Sequence, residues 1–187
     1  MPKARSTPAP AAPGRYGAAT IALHWLTLAL LIAAYAVINL REHYPKGSLP
    51  REDLKTWHFM LGLAVLGLLG LRLLARLHGT APATRPPLPV WQARLAAAVQ
   101  GLLYLWLLAM PLLGWLLLSA SGKPIPFFGF EWPALVAADK GLAEQVEEVH
   151  ETLGTVGYFL IAAHSLAALV HHFITRDNTL RRMLPGA

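Results

Sequence analysis

Four long apolar stretches constrain this chain more than any other feature of its sequence. They cover about residues 20–40, 56–75, 91–118 and 147–173. A helix needs about 20 apolar residues to cross the hydrocarbon core of a bilayer, and each stretch is long enough. Charged residues make up 14% of the chain, whereas soluble domains contain about 25%. The sequence therefore predicts an all-α fold, an integral membrane four-helix bundle in contact with lipid.

The segments outside these stretches suggest the domain organisation. Residues 1–19 are rich in proline and alanine and predict a flexible cytoplasmic tail. Residues 20–176 predict a single four-helix domain, and residues 177–187 predict a cytoplasmic C-terminal tail. The longest connection, residues 119–145, is rich in aromatic residues, proline and glycine. We expect this connection to form a lid on the membrane surface.

The distribution of basic residues predicts the orientation in the membrane. They lie at the ends of the apolar stretches rather than on one polar face, which argues against a nucleic-acid interface. With both termini inside, ten of the 16 Lys and Arg residues are cytoplasmic and the remaining six are outside. Cytoplasmic loops carry the excess of positive charge in membrane proteins, so we expect this orientation. Arg72, near the end of the second stretch, is expected to extend to the interface.

Histidines inside the apolar stretches are the candidate functional residues, because ionisable groups at membrane depth are costly. The first stretch contains His24 and the second contains His58. The last stretch contains four of the eight histidines, namely His150, His164, His171 and His172. The 14-residue step from His150 to His164 turns a helix through nearly whole turns and rises about 21 Å. Both rings therefore lie on similar faces, one near each side of the membrane.

Depth in the membrane sorts these histidines into two pairs. In an up-and-down bundle, His24 and His164 lie about 13 and 18 Å from the cytoplasmic ends of their helices. His58 and His150 both lie near the outer ends of theirs. We therefore predict that His24 pairs with His164 and that His58 pairs with His150.

Two imidazoles at one level suit a haem better than a bare metal ion. Zinc takes four ligands, or three and a water molecule, and the sequence contains no cysteine. A haem iron brings four equatorial nitrogens and takes only its axial ligands from the protein. Two axial histidines leave no open position for oxygen, which favours electron transfer. A haem-free metal-ion carrier that uses the same histidines is an alternative.

Longer motifs resemble a known family. The runs ALHWL around His24, WHFMLGL around His58, LLYLWLLAMPLLGW in the third stretch and VHETLGTVGYFLIAAHSLAALVHHFITRDNTLRRMLP at the end are similar to the bacterial cytochrome b-561 family. Members are four-helix, di-haem b cytochromes of the inner membrane. The resemblance implies two haem b groups whose iron ligands are His24, His58, His150 and His164. One departure is Gln100, where many relatives have a histidine that could contact quinone or a haem propionate.

Within this family the chain resembles members that oxidise superoxide, which implies a function. Electrons would pass from periplasmic superoxide through the two haems to ubiquinone, so the protein would be a superoxide:ubiquinone oxidoreductase. His171 matches a position associated with quinone binding, although an interfacial anchor would explain it equally well. Outer basic side chains would attract superoxide by electrostatic steering. These candidates are Lys46, Arg51, Lys55 and Lys123.

A second function is compatible with the same motifs. The chain could be the cytochrome b electron-transfer subunit of a larger dehydrogenase or hydrogenase, associated with other respiratory components and exchanging electrons with the quinone pool. Whether the purified single chain reduces quinone from superoxide unaided distinguishes the two.

Overall fold

Each apolar stretch forms a long helix in a computed structural model, which describes residues 14–186. The helices are α1 (Ala18–Leu40), α2 (Leu49–His78), α3 (Val90–Ala120) and α4 (Lys140–Val170). All four are long and apolar enough to cross a membrane, and 73% of the structure is helical. The predicted all-α four-helix bundle is confirmed. The flexible tail predicted for residues 1–19 falls mostly outside the described residues.

Two helices begin well before the apolar stretches that predicted them. α2 begins after Ser48, which is extended, and Pro50 occupies its first turn, where a fixed φ and a missing N–H are compatible with a helix. α4 begins after Asp139, whose carboxylate accepts a hydrogen bond of 3.0 Å from the backbone N–H of Leu142. Such a side-chain cap satisfies a backbone donor that the first turn leaves free. The first turns are polar, so hydropathy alone does not reveal them.

The centre of the bundle is built on α2 and α3. Its buried residues are Val65, Leu69, Trp106 and Leu107. Two hydrogen bonds connect neighbouring helices to the backbone of α4 at this level. The indole N–H of Trp106 donates to the Leu153 carbonyl at 2.9 Å, and the Tyr35 hydroxyl donates to the Gly154 carbonyl at 2.7 Å. These bonds attach α1 and α3 to the middle of α4.

Gly157 allows α4 to lie close to its neighbours. A Cβ atom at this position would collide with the Trp106 indole and the Tyr35 hydroxyl. Small residues at helix interfaces permit this kind of close backbone approach in membranes. The glycine is therefore required by packing.

The connection between α3 and α4 covers the ends of α2 and α3 that the sequence predicts to face outward, called the outer ends, as a lid would. It contains a short antiparallel hairpin formed by β1 (Pro126–Phe127) and β2 (Phe130–Glu131). Ile125, only 1% exposed, packs with Leu63 of α2 and Leu118 of α3. The indole N–H of Trp115 donates to the Pro133 carbonyl at 2.8 Å. The lid is thus held by buried apolar contacts and by hydrogen bonds.

The C-terminal segment closes the opposite end of the bundle, called the inner end because the sequence predicts that it faces the cytoplasm. After α4 come a π-helical turn (His171–Thr175) and a 3-10 turn (Arg181–Met183). Asn178 accepts a hydrogen bond of 2.8 Å from the backbone N–H of Arg85, in the connection between α2 and α3. The indole N–H of Trp25, in α1, donates to the Met183 carbonyl at 2.7 Å. Residues 177–186 are therefore attached to two other parts of the chain.

Candidate functional site

Four histidine side chains meet as two pairs inside the bundle. The ring centroids of His24 and His164 are 6.4 Å apart, with an interplanar angle of 60°. Those of His58 and His150 are 6.2 Å apart, at 86°. α4 contributes one ring to each pair, α1 contributes to the inner pair, and α2 contributes to the outer pair. These are the pairs that depth in the membrane indicated.

The separation within each pair suits one metal atom between the two rings. A metal ion lies about 2 Å from each imidazole nitrogen that binds it, so two ring centroids on opposite sides of one ion are about 6 Å apart. In residues 14–186, no cluster of three or more His, Cys, Asp or Glu side chains could hold a metal ion. An ion at either pair therefore needs further ligands from outside the protein, as a haem iron has.

At the outer pair, one ring is fixed by a hydrogen bond and the other by packing. Nδ1 of His58 lies 3.0 Å from the Ala34 carbonyl oxygen. A carbonyl only accepts, so Nδ1 carries the proton and Nε2 is left as the nitrogen that can bind a metal. Nδ1 of His150 is buried and has no hydrogen-bond partner among the described residues. A Cβ atom on Gly114 would lie 3.3 Å from the His150 ring, so this glycine makes room for the imidazole.

At the inner pair, an arginine points into the bundle. A terminal guanidinium nitrogen of Arg72 lies 3.5 Å from Nδ1 of His24. The same guanidinium lies 5.6 Å from the centre of the Tyr104 ring, within range of a cation–π interaction. The expectation that Arg72 extends to the interface is therefore wrong. The side chain turns towards His24 because the histidine nitrogen and the aromatic ring offer it partners inside the bundle.

His171 lies at the inner end of α4 and is paired with a buried carboxylate. Its Nδ1 is 2.6 Å from Oδ2 of Asp177, whose side chain is fully buried. The other oxygen, Oδ1, accepts a hydrogen bond of 2.8 Å from the backbone N–H of Thr179. In the sequence, Asp177 is a single acid among the arginines of the C-terminal tail. The six-residue spacing between His171 and Asp177 can be seen in the sequence. It brings the two side chains together only if the helix ends between them.

The environment of Asp177 favours its ionised form. Burial by itself raises the pKa of this carboxyl group. Hydrogen bonds from Thr179 and from the His171 ring outweigh burial and hold the pKa of Asp177 below its usual value. The carboxylate is therefore charged at neutral pH and acts only as a hydrogen-bond acceptor.

The four outer basic side chains differ in their surroundings. Arg51 is buried, donates to the Arg41 and Tyr44 carbonyls, and forms an ion pair of 3.1 Å with Glu42. Lys55 forms an ion pair of 2.6 Å with Glu52. The other two, Lys46 and Lys123, are exposed. The structure thus uses Arg51 to hold the connection between α1 and α2, a role that its position in the sequence did not suggest.

Comparison with known proteins is consistent with this arrangement of histidines. The sequence profile described as prokaryotic cytochrome b561 matches residues 15–186. The chain belongs to the prokaryotic cytochrome b561 family. It is 40% identical to cytochrome b561 homolog 1 of Escherichia coli K12 over 91% of the chain and 97% of that relative. It is 35% identical to the probable superoxide oxidase CybB of Yersinia pestis, over 91% and 96% of the two chains.

Membership of the cytochrome b561 family confirms the resemblance seen in the sequence motifs. It identifies the chain as a b-type cytochrome that transfers electrons. Together with the four spanning helices, it indicates a multi-pass protein of the bacterial inner membrane. A b561 cytochrome implies haem b, and the spacing of both histidine pairs is compatible with an iron atom between the rings.

Proposed function

We propose that this cytochrome oxidises superoxide at the outer side of the membrane and reduces ubiquinone at the inner side, using two haem b groups. Two superoxide anions each lose one electron and become dioxygen. One ubiquinone gains these two electrons and two protons and becomes ubiquinol. The observation that carries the proposal is the presence of two histidine pairs at different depths in one bundle.

In this proposal each histidine pair would hold one haem through its iron. His24 and His164 would hold the inner haem, and His58 and His150 the outer one. When bound there, haem would supply one-electron transfer. The hydrogen bond from His58 to the Ala34 carbonyl fixes the orientation of that ring. Between the two levels, α4 packs closely against Trp106 and Tyr35 at Gly157.

Of the three glycines in the middle of α2, Gly62 lies one turn after His58 and is half-buried, whereas Gly67 and Gly70 are exposed. A Cβ atom on Gly62 would have no atom within 4 Å. This position is therefore compatible with a bulky group beside His58, and Arg72 lies further along the same helix. The guanidinium of Arg72, close to His24, would hold a carboxylate such as a haem propionate by charge-assisted hydrogen bonds.

The outer surface would receive superoxide, and the inner surface would receive the quinone. Lys46 and Lys123 are exposed at the outer ends of the helices, where positive charge raises the encounter rate of a small anion. His171 follows α4 at the inner end. An imidazole there can donate a hydrogen bond to a quinone carbonyl and pass it a proton during reduction.

The orientation that this function requires places both termini in the cytoplasm. The excess of Lys and Arg on that side supports it. A reporter that becomes active only after export, fused to the C-terminus, tests the orientation directly. Activity of that reporter would exclude the proposed direction of electron flow.

One experiment on the purified chain tests the proposed function. Its absorption spectrum and its haem content should show b-type haem at two groups per chain. Superoxide generated by pulse radiolysis should then reduce the haems, and a short-chain ubiquinone should be reduced in turn without another protein. Reduction of quinone only after a second protein is added would instead indicate an electron-transfer subunit of a larger enzyme.

A further inference from the structure

A buried carboxylate, that of Asp177, lies at the inner end of α4 beside His171. Both oxygens of Asp177 are engaged, Oδ2 by Nδ1 of His171 at 2.6 Å and Oδ1 by the Thr179 backbone N–H at 2.8 Å. The backbone N–H of Asp177 also donates to the His171 carbonyl at 3.1 Å. Three hydrogen bonds thus fix the carboxylate relative to the ring and to the chain around it.

We infer that Asp177 is a positioning residue for quinone reduction, which orients the His171 ring and fixes which of its nitrogens faces the quinone. This inference rests on the proposed function, since it assigns a partner to the residue placed at the quinone site. Asp177 does not itself contact the substrate in this arrangement. It acts through the imidazole, in the way that a buried aspartate sets the tautomer of a catalytic histidine.

The chemistry of the pair determines which nitrogen faces the quinone. An ionised carboxylate only accepts hydrogen bonds, so Nδ1 of His171 carries a proton. Nε2 is then the nitrogen available to a ligand, and the side chain is still 20% exposed. Nε2 can take up a proton from water on the inner side and give it to a quinone oxygen that is gaining electrons, while Nδ1 keeps its hydrogen bond to the carboxylate.

The geometry after α4 explains how the two side chains meet. The chain makes a π-helical turn through His171–Thr175, and Arg176 follows with a left-handed backbone (φ 58). Both features occur repeatedly at helix ends and at functional sites. They turn the chain back so that residue 177 lies beside residue 171. An uninterrupted α-helix would place these two residues about 120° apart around the axis and about 9 Å apart along it, too far for the two side chains to meet.

A purely structural role is the competing explanation, because Asp177 belongs to the segment that closes the inner end of the bundle. That segment has other attachments. Asn178 accepts from the Arg85 backbone N–H and donates to the Ala83 carbonyl. The Asn178→Ala substitution therefore weakens the attachment without changing the partner of His171. It is the matched control for Asp177→Asn.

The Asp177→Asn variant changes the hydrogen bond to His171 and little else. An asparagine oxygen can still accept from the Thr179 N–H. The asparagine amide, however, donates to Nδ1, which reverses the tautomer of the ring and removes the negative charge. The experiment uses the haem-loaded full chain, with the haems reduced by superoxide. Stopped-flow absorption then records haem reoxidation over a range of ubiquinone-1 concentrations.

The expected result is a selective loss in the maximum rate. Asp177→Asn should slow reoxidation at saturating ubiquinone-1 by about tenfold to 100-fold, as loss of a supporting carboxylate does elsewhere. The half-saturating quinone concentration, the haem content and the rate of haem reduction by superoxide should stay close to wild type. Asn178→Ala should leave reoxidation close to wild type.

Each other outcome has a definite meaning. An unchanged rate in Asp177→Asn, or an equal loss in Asn178→Ala, would overturn the positioning role. His171→Gln separates this result from failure of the proposed function. If His171→Gln slows reoxidation and Asp177→Asn does not, only the role of Asp177 is wrong. If His171→Gln has no effect, the proposed quinone site itself is wrong, and the positioning role is lost with it.

Discussion

Among the four paired histidines, the surroundings of the ring nitrogens differ from residue to residue. Nδ1 of His58 has a backbone carbonyl partner, whereas Nδ1 of His150 has no partner among the described residues. His24 lies beside the guanidinium of Arg72. The two pairs therefore have different electrostatic environments although both consist of two imidazoles. Two haems held by these pairs would have different reduction potentials.

Replacing either histidine of the outer pair should remove one haem and leave the other. We expect His58→Ala and His150→Ala each to bind about one haem per chain instead of two, because a haem iron takes both axial ligands from one pair. The retained haem should show the optical spectrum of the inner site. Haem content measured against protein concentration, together with the redox spectrum, checks this expectation.

His43→Ala is the matched control for the outer pair. His43 also lies near the outer end of the bundle, but it is exposed and follows α1 in a short 3-10 turn. Its replacement should leave two haems bound. Loss of the inner haem in His150→Ala, with the outer one retained, would contradict the assignment of pairs to levels.

Removing the charge of Arg72 should lower the reduction potential of the inner haem. A positive charge near an iron favours its reduced state, which is the less positive one. Redox titration of Arg72→Gln should therefore shift one of two haem transitions to lower potential and leave the other in place. Arg94→Gln, which changes an exposed arginine near the start of α3, should shift neither. Equal shifts in both variants would show a general effect of surface charge.

Sequence reasoning located the histidines but missed the residues that support them. A histidine in an apolar stretch is visible because it breaks the composition around it. Asp177 and Gly114 are ordinary residues for a polar tail and for a membrane helix. Their roles depend on a helix that ends after residue 175 and on the path of α3 beside the His150 ring. Both are tertiary features that local sequence does not specify.

For the helices, hydropathy predicted how many there are better than where they begin. Apolar length is what a bilayer selects, so four stretches correspond to four helices. The first turns of α2 and α4 lie outside those stretches and are set by Ser48, Pro50 and Asp139. These capping residues can be recognised in the sequence, but they do not raise its hydropathy.

Contact between α4 and its neighbours can be tested at Gly157. Gly157→Ala adds a methyl group where the Trp106 indole and the Tyr35 hydroxyl already lie. We expect a loss of about 1–3 kcal/mol in the free energy of unfolding, the usual effect of overpacking. Reversible unfolding of the purified protein in detergent measures the change.

Gly101→Ala provides the comparison, because a Cβ atom there would have no atom within 4 Å. Removing an exposed glycine from a helix should stabilise the protein by about 0.5–1 kcal/mol. Similar effects of the two substitutions would mean that α4 does not approach α1 and α3 as closely as the structure shows.

Across the whole molecule, charge at the outer surface should affect the encounter with superoxide. Two of the four candidate cations, Arg51 and Lys55, are paired with carboxylates, so their fields are partly cancelled. Replacing the exposed Lys46 and Lys123 by glutamine should slow haem reduction by superoxide. Added salt should slow it too, because surface charges are screened over about 8 Å at physiological ionic strength. Stopped-flow absorption of the haem band measures both effects.

A substitution at Arg51 distinguishes electrostatic steering of superoxide from stability of the fold. Its guanidinium holds the connection between α1 and α2 through the Arg41 and Tyr44 carbonyls. Arg51→Gln should therefore lower stability more than it lowers the rate of reaction with superoxide.

A rate of haem reduction that responds neither to salt nor to replacement of both Lys46 and Lys123 would remove electrostatic steering from the proposal.

α4 also sets the distance between the two histidine levels. Each histidine pair takes one ring from this helix, at residues 150 and 164, so the rise between the two levels is about 21 Å. Tilting of α1 or α2 would open or close one pair without moving one level relative to the other. Electron tunnelling slows exponentially with distance. In the proposed function, the number of residues between His150 and His164 therefore sets how fast an electron passes from one haem to the other.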